Sequence, residues 1–189
     1  MKQSFPTITK IKNFFIEIGE LTYFSNRFFK ELFSTPFEFK ELLRQCYYVG
    51  NKSLGLVLIT GFIIGLVLTI QTRPTLEQFG AEAWMPSMVS ISLIREIGPI
   101  ITALICAGRI GSGIGAELGS MRVTEQIDAM EVSGTNPFKY LVVTRILATT
   151  LMIPILVIFG DAMGLLGSFI IENLKGDVSF QLYFNKVFN

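Results

Sequence analysis

Histidine is absent from this sequence, which removes the commonest general base and the commonest metal-ligand side chain. Cysteine is scarce: Cys46 and Cys106 lie 60 residues apart in different kinds of segment, which suggests neither a disulfide scaffold nor a zinc site. Charge is scarce as well. Asp, Glu, Lys and Arg make up 16% of the 189 residues, against about a quarter in an average soluble domain. The 16 basic and 15 acidic residues nearly cancel, so the chain carries no electrostatic footprint for nucleic acid. No Gly-Lys-Ser or Gly-Lys-Thr triplet occurs, so the chain has no P-loop with which to bind ATP itself. These absences remove soluble His-dependent enzymes, zinc modules and secreted disulfide-rich domains from consideration.

What is present is apolar. Half of the residues are hydrophobic, and the mean hydropathy is +0.53. The longest uncharged run lies between Lys52 and Arg73, SLGLVLITGFIIGLVLTIQT. As a helix it would extend about 30 Å, the thickness of a bilayer core. Two further apolar stretches, 83–118 and 140–171, are interrupted by Arg95, Glu96, Arg109 and Glu117 in one and by Arg145 and Asp161 in the other. Both are long enough to cross as tilted helices. Their charges should face a bundle interior, a water-filled cavity or each other. The expected fold class is an all-α integral membrane protein with about three spans, over 53–72, 83–118 and 140–171.

Residues 1–52 contain no apolar signal-peptide core and hold half of all the Lys and Arg. Ile11, Phe14, Phe15, Ile18, Leu21, Phe28, Phe29, Leu32 and Phe33 recur at three- and four-residue steps. That pattern predicts an amphipathic helix, broken near Pro36, lying on the membrane surface before the first span. The alternative is a soluble helix packed on a partner. The expected division is therefore 1–52 as a surface segment and 53–189 as a membrane domain. Eight basic residues precede the first span and one lies in the expected loop from Arg73 to Glu82, which places the N-terminus on the cytoplasmic or equivalent side.

Glycine is patterned. Gly61 and Gly65 form a small-xxx-small pair in the first span, and Gly160 and Gly164 form another in the third. In the second span Gly111, Gly115 and Gly119 fall four apart, with Gly108, Ser112 and Ala116 on the adjoining row. Such rows let helix backbones approach closely in lipid, so they predict a tightly packed bundle. Gly111-Ser-Gly113-Ile-Gly-Ala116 superficially fits a dinucleotide-binding fingerprint, but the strand and βαβ unit which that motif needs are missing from the pattern.

Between the second and third stretches the chain reads GSMRVTEQIDAMEVSGTNP over 119–137. Val123, Ile127 and Met130 share one helical face, and Glu125, Asp128 and Glu131 lie around the other. Gly134 is placed to cap the helix, and Asn136-Pro137 marks the turn into the third span. The segment reads either as a docking helix of about 123–133 for a soluble partner or as a solvated connection.

The run Arg95-Glu-Ile-Gly-Pro99, then Ala107-Gly-Arg109 and the block from Ala116 through Glu131, closely resembles the Mla-type permeases of MCE-associated lipid ABC transporters. Asn136-Pro137, Tyr140-Leu-Val-Val-Thr-Arg145 and Asp161 continue the match, which covers roughly 36–171. The resemblance implies a permease subunit that pairs as a homodimer, docks two P-loop ATPase subunits and works with an MCE-domain protein carrying phospholipid. It implies that Glu125, Gln126, Asp128, Met130 and Glu131 belong to a coupling helix seated in the ATPase. Arg95, Glu96, Arg109, Glu117 and Asp161 then either order the bundle by ion pairing or line the lipid path. No cofactor is expected on this chain; ATP and Mg belong to the partner. Family members continue into about two more spans beyond the position of Ile171, where this sequence has a polar tail, so the expected domain lacks those last two spans.

Two other readings compete with ATP-driven phospholipid movement. One is a non-transporting membrane scaffold; the other is a proton-coupled secondary transporter with Asp161 as relay, although no internal repeat is visible. The abundance of Phe (17) and Ile (23, against 21 Leu) suits an AT-rich genome. That bias and the family resemblance point to a plastid envelope membrane, with a bacterial inner membrane as the alternative. The acidic residues of the N-terminus do not fit a transit peptide, so a plastid protein of this kind would be plastid-encoded.

Overall fold

The computed structural model describes residues 6–34, 38–176, 181, 183 and 185, with the side chains of 6–11 and 176 outside the description. Helix α1 spans Pro6–Leu32 and opens on a proline, whose fixed φ suits a first helical turn. Its apolar stripe is uncovered: Phe14, Phe15, Ile18, Leu21, Phe29 and the following Phe33 are 46–84% exposed. The helix touches the rest of the fold at Phe138, whose ring meets Phe24 edge-on at 5.3 Å and lies under the Arg27 guanidinium at 4.3 Å. A break separates α1 from the next helix; Pro36, the residue expected to cause it, and the side chain of Ile11 lie outside the described residues.

Helix α2, Phe39–Gln78, runs for 40 residues. The expected division at 52/53 falls inside it, so the surface segment and the first span share one continuous helix. The expected loop from Arg73 is helical as far as Gln78, even across Pro74. Arg73 accounts for much of this. It pairs with Glu77 at 2.5 Å one turn on, and it donates to the carbonyl of Lys175 at 2.9 Å, tying the end of α2 to another helix end. Gly80 then takes a φ of 64°, which allows the chain to reverse.

The second apolar stretch is a composite. A 3-10 turn at Glu82–Trp84 leads into α3, Met85–Ser92; a π turn follows at Leu93–Ile97, and then α4, Gly98–Val123. Pro99 supplies the cause of the π turn. It has no N–H to offer the carbonyl one turn back, and the ladder shifts so that Gly98 N–H donates to the Leu93 carbonyl, five residues away. Helix α5, Gln126–Val132, follows a left-handed residue, Glu125 (φ 55°). It is closed by Gly134 at φ 76°, the position expected as its cap. A second π turn, Phe138–Val143, feeds α6, Thr144–Gly176. No strand occurs among the described residues. Three helical stretches, Phe39–Gln78, Glu82–Val123 and Phe138–Lys175, are long and apolar enough to cross a membrane.

Helices α2 and α6 make the most extensive packing of the fold, and glycine makes it possible. A Cβ on Gly61 or Gly65 would run into the backbone carbonyls of Gly160 and Gly164 respectively, and one on Gly167 would stand 2.5 Å from the Phe62 carbonyl. Next to this crossing Thr69 Oγ1 donates to the Gly65 carbonyl and contacts Ser168 Oγ, both at 2.8 Å. Val57, Cys106 and Leu156, one from each of α2, α4 and α6, close the apolar core where the three helices meet. Elsewhere α4 is lightly covered: Thr102 and Cys106 are its buried residues.

Candidate functional site

Four segments converge at one end of the bundle: the start of α2, the end of α4, all of α5 and the π turn opening α6. They line a half-open chamber of about 790 Å³, within the ~300–1,000 Å³ range of small-molecule sites. The start of α2 contributes Glu41, Arg44, Gln45 and Tyr48, whose four- and three-residue spacing puts a polar stripe on one face of an otherwise apolar helix. Glu117, Ser120 and Met121 come from α4, Gln126 and Met130 from α5, and Tyr140 and Arg145 from the third stretch.

The charges in this chamber are organised by two networks. Glu41 is buried; it accepts from Gln45 Nε2 at 2.7 Å and from the Tyr140 hydroxyl at 3.0 Å, and lies 3.6 Å from the Arg44 guanidinium. Arg145 has 5% of its side chain exposed; its Nη2 pairs with Glu117 at 2.8 Å and its Nη1 donates to the Leu141 carbonyl at 2.9 Å. Its Nε is buried and has no partner. The Arg145–Glu117 pair links α6 to α4 just where α4 gives way to α5. Lys139 anchors the same end by donating to the Ser34 carbonyl (2.5 Å) and hydroxyl (2.8 Å). A smaller cleft of about 200 Å³ continues between α2 and α4, bordered by Gln45, Tyr48, Lys52, Arg109, Gly113 and Glu117 among others.

The residues singled out from the sequence fall into separate places. Glu117, Gln126 and Met130 border the chamber, and Arg109 and Glu117 border the cleft. Glu125 and Glu131 are exposed on the outer side of α5's segment. Asp128 is held within the segment by Arg122, at 2.6 Å between two exposed side chains. Arg95 and Glu96 lie exposed on the first π turn, away from the chamber lining. Asp161 is 9% exposed on α6, with its Oδ1 packed against Gly98 and without a hydrogen-bond partner. Of the glycines, Gly61, Gly65, Gly160 and Gly164 meet across α2 and α6, whereas Gly108, Gly111, Gly115 and Gly119 have open space within 4 Å of where a Cβ would stand. No three acidic or cysteine side chains converge as metal ligands among the described residues.

Glu41, Gln45 and Tyr140 carry no role that the sequence alone singles out. The polar stripe at 41, 45, 48 and 52 was the available signal for the α2 side. Arg145 meets the expectation that charges within the apolar stretches face each other, and only its partner was hidden, since Glu117 is 28 residues earlier in the chain.

Residues 42–189 match the family described as Permease MlaE. The chain is 36% identical over 171 residues to the "Probable ABC transporter permease protein" of Rickettsia bellii, covering 90% of this chain and 66% of that protein. It is 38% identical over 129 residues to the "Intermembrane phospholipid transport system permease protein MlaE" of Haemophilus influenzae, covering 68% of this chain and 49% of that one. It is 32% identical over 143 residues to "Protein TRIGALACTOSYLDIACYLGLYCEROL 1, chloroplastic" of Arabidopsis thaliana, covering 76% and 41%. The chain thus spans between two fifths and two thirds of the length of these curated relatives.

Proposed function

The chain belongs to the MlaE permease family, an integral-membrane family, and from that membership we propose that it serves as a membrane subunit of an ATP-binding-cassette transporter moving phospholipid or a related lipid between membranes. The observation that carries the reading is α5. It is a seven-residue helix at the bundle end, entered through the left-handed Glu125, and it presents Glu125 and Glu131 outward while Gln126 and Met130 face the chamber. A helix so placed has one face for a soluble partner and one for the membrane bundle.

Mechanically, a P-loop ATPase subunit closing on ATP and Mg would displace α5. The braces that pass the displacement inward are the Arg122–Asp128 pair, which fixes α5 to the end of α4, and the Glu117–Arg145 pair, which fixes α4 to α6. Transport needs two arrangements of the bundle with different affinity for lipid. The exposed Arg95, Glu96 and Arg109 cannot face acyl chains without cost; a second copy of the chain in a homodimer, or a water-filled lipid path, would cover them. An MCE-domain protein would receive or deliver the lipid on the other side. The uncovered apolar stripe of α1 fits a helix lying in the membrane surface. The relatives come from both bacteria and chloroplasts; the Ile- and Phe-rich composition suits an AT-rich genome, and a plastid envelope membrane, with a bacterial inner membrane as the alternative, fits it.

Reversing Glu125 and Glu131 to Lys tests the docking role. Both side chains are exposed, so membrane insertion and folding stay intact while ATPase co-purification is lost. Unchanged co-purification would remove the docking assignment.

A further inference from the structure

The middle of α6 carries an ionisable side chain for which the transporter reading has no use. Asp161 stands about halfway along Thr144–Gly176, between the close-packing glycines Gly160 and Gly164. It is buried, and its Oδ1 has no hydrogen-bond partner. The elements packed around it bring no charge to pair with it. Residues 53–72 of α2 and all of α3 are uncharged. On the π turn Arg95 and Glu96 are exposed, and on α4 the Cys106 thiol sits in the apolar core while Arg109 borders the distant cleft. Along α6 itself the nearest charged residues, Arg145 and Glu172, are 16 and 11 residues away, or about 24 and 16 Å at the helical rise.

What Oδ1 does face is backbone. It packs against Gly98 on the side where a Cβ would project, and the Leu93 carbonyl lies 2.8 Å from that same point. The Gly98 N–H already donates to the Leu93 carbonyl, and Pro99 has no N–H to offer. Two acceptor oxygens therefore stand side by side with no donor between them. An ionised carboxylate in this position is costly, because it is buried in the membrane and nothing donates to its inner oxygen. A carboxylic acid has an O–H to give, and the carbonyl has a second lone pair to receive it. From this geometry we propose that Asp161 is a neutral carboxylic acid whose O–H donates to the Leu93 carbonyl. The bond ties the middle of α6 to the π turn, so Asp161 is a positioning residue: it fixes where the second membrane stretch bends against the third. Gly98 is what lets the carboxyl come this close. The inference does not depend on what the chain transports.

Infrared difference spectra test this on the full chain with its co-purifying partners in lipid nanodiscs, at neutral pH, where an ordinary aspartate is ionised. Wild type minus Asp161→Asn is expected to show one carboxylic-acid C=O band, at the lower frequency of an acid that donates a hydrogen bond. Carboxylate bands alone, or an acid band at the frequency of an unbonded acid, would overturn the proposal. Unfolding in mixed micelles titrated with SDS supplies a second readout. Asparagine is isosteric and its Nδ2 donates in place of the acid O–H, so Asp161→Asn is expected to leave the unfolding equilibrium nearly unchanged. Asp161→Leu has a similar volume and no donor, and is expected to raise the unfolded-to-folded ratio about three- to twentyfold, the range for one interhelical hydrogen bond in a membrane. Equal losses in the two variants, or no loss in either, would overturn the bond to the π turn. The spectrum needs only the isosteric variant, so it decides the protonation state even if Asp161→Leu fails to fold.

Discussion

The close crossing of α2 and α6 makes a quantitative forecast about two glycines that look alike in the sequence. Gly65→Ala and Gly115→Ala both replace glycine inside an apolar helix, and both gain about 1 kcal/mol of helix propensity. At Gly115 nothing lies within 4 Å of the new methyl, so the gain stands. At Gly65 the methyl meets the carbonyl of Gly164, a backbone group that cannot rotate aside as a side chain could. Overpacking of this kind costs about 1–3 kcal/mol, here at the upper end. The separation of helices also loosens the Thr69–Ser168 contact, worth about 0.6 kcal/mol for an average interhelical hydrogen bond in a membrane. Gly65→Ala should therefore be about 2–3 kcal/mol less stable than Gly115→Ala. Reversible unfolding in mixed micelles titrated with SDS reads the difference. Equal stabilities, or a more damaging Gly115→Ala, would refute the packing described for α2 and α6.

Other consequences follow from single contacts. Glu117→Gln leaves the buried Arg145 guanidinium without its anion and should cost about 1–3 kcal/mol in the same titration; a double-mutant cycle with Arg145→Met should show coupling between the two positions. Arg122→Ala removes an exposed ion pair and should change stability by less than about 1 kcal/mol, while weakening ATPase co-purification through a loosened α5. Gly98→Ala drives a methyl into the Asp161 carboxyl and should destabilise the fold; Asp161→Ala in the same chain should restore part of the loss, since the Leu93 carbonyl at 2.8 Å still crowds the position.

The three apolar stretches and the short helix between the last two were legible because length, hydropathy and capping glycine are local properties of the chain. Gly134 is the clearest case: a glycine after an apolar-periodic run predicted a helix end, and it closes α5 at positive φ. The ends were less legible. Arg73 and Pro74 together read as a loop, yet Arg73 is spent on Glu77 and on the end of α6, contacts that no local pattern encodes. The π turn before Pro99 was equally hidden, since proline announces a lost hydrogen bond without saying how the ladder rearranges. Glycine spacing identified both partners of the α2–α6 crossing and an equally regular row on α4 that packs against no described residue. Spacing shows that a backbone can be approached and leaves open which helix approaches it. The chamber lay furthest from view, because Glu41, Glu117 and Arg145 meet only once three separate segments have folded together.

The most direct test of the transporter account is purification of the chain from native membranes in mild detergent, with mass spectrometry of the proteins and lipids that accompany it. The account predicts a P-loop ATPase subunit, an MCE-domain protein and bound phospholipid, with the ATPase lost when Glu125 and Glu131 are reversed to Lys. Recovery of the chain alone, without ATPase or lipid, would contradict it and leave a membrane scaffold of permease ancestry.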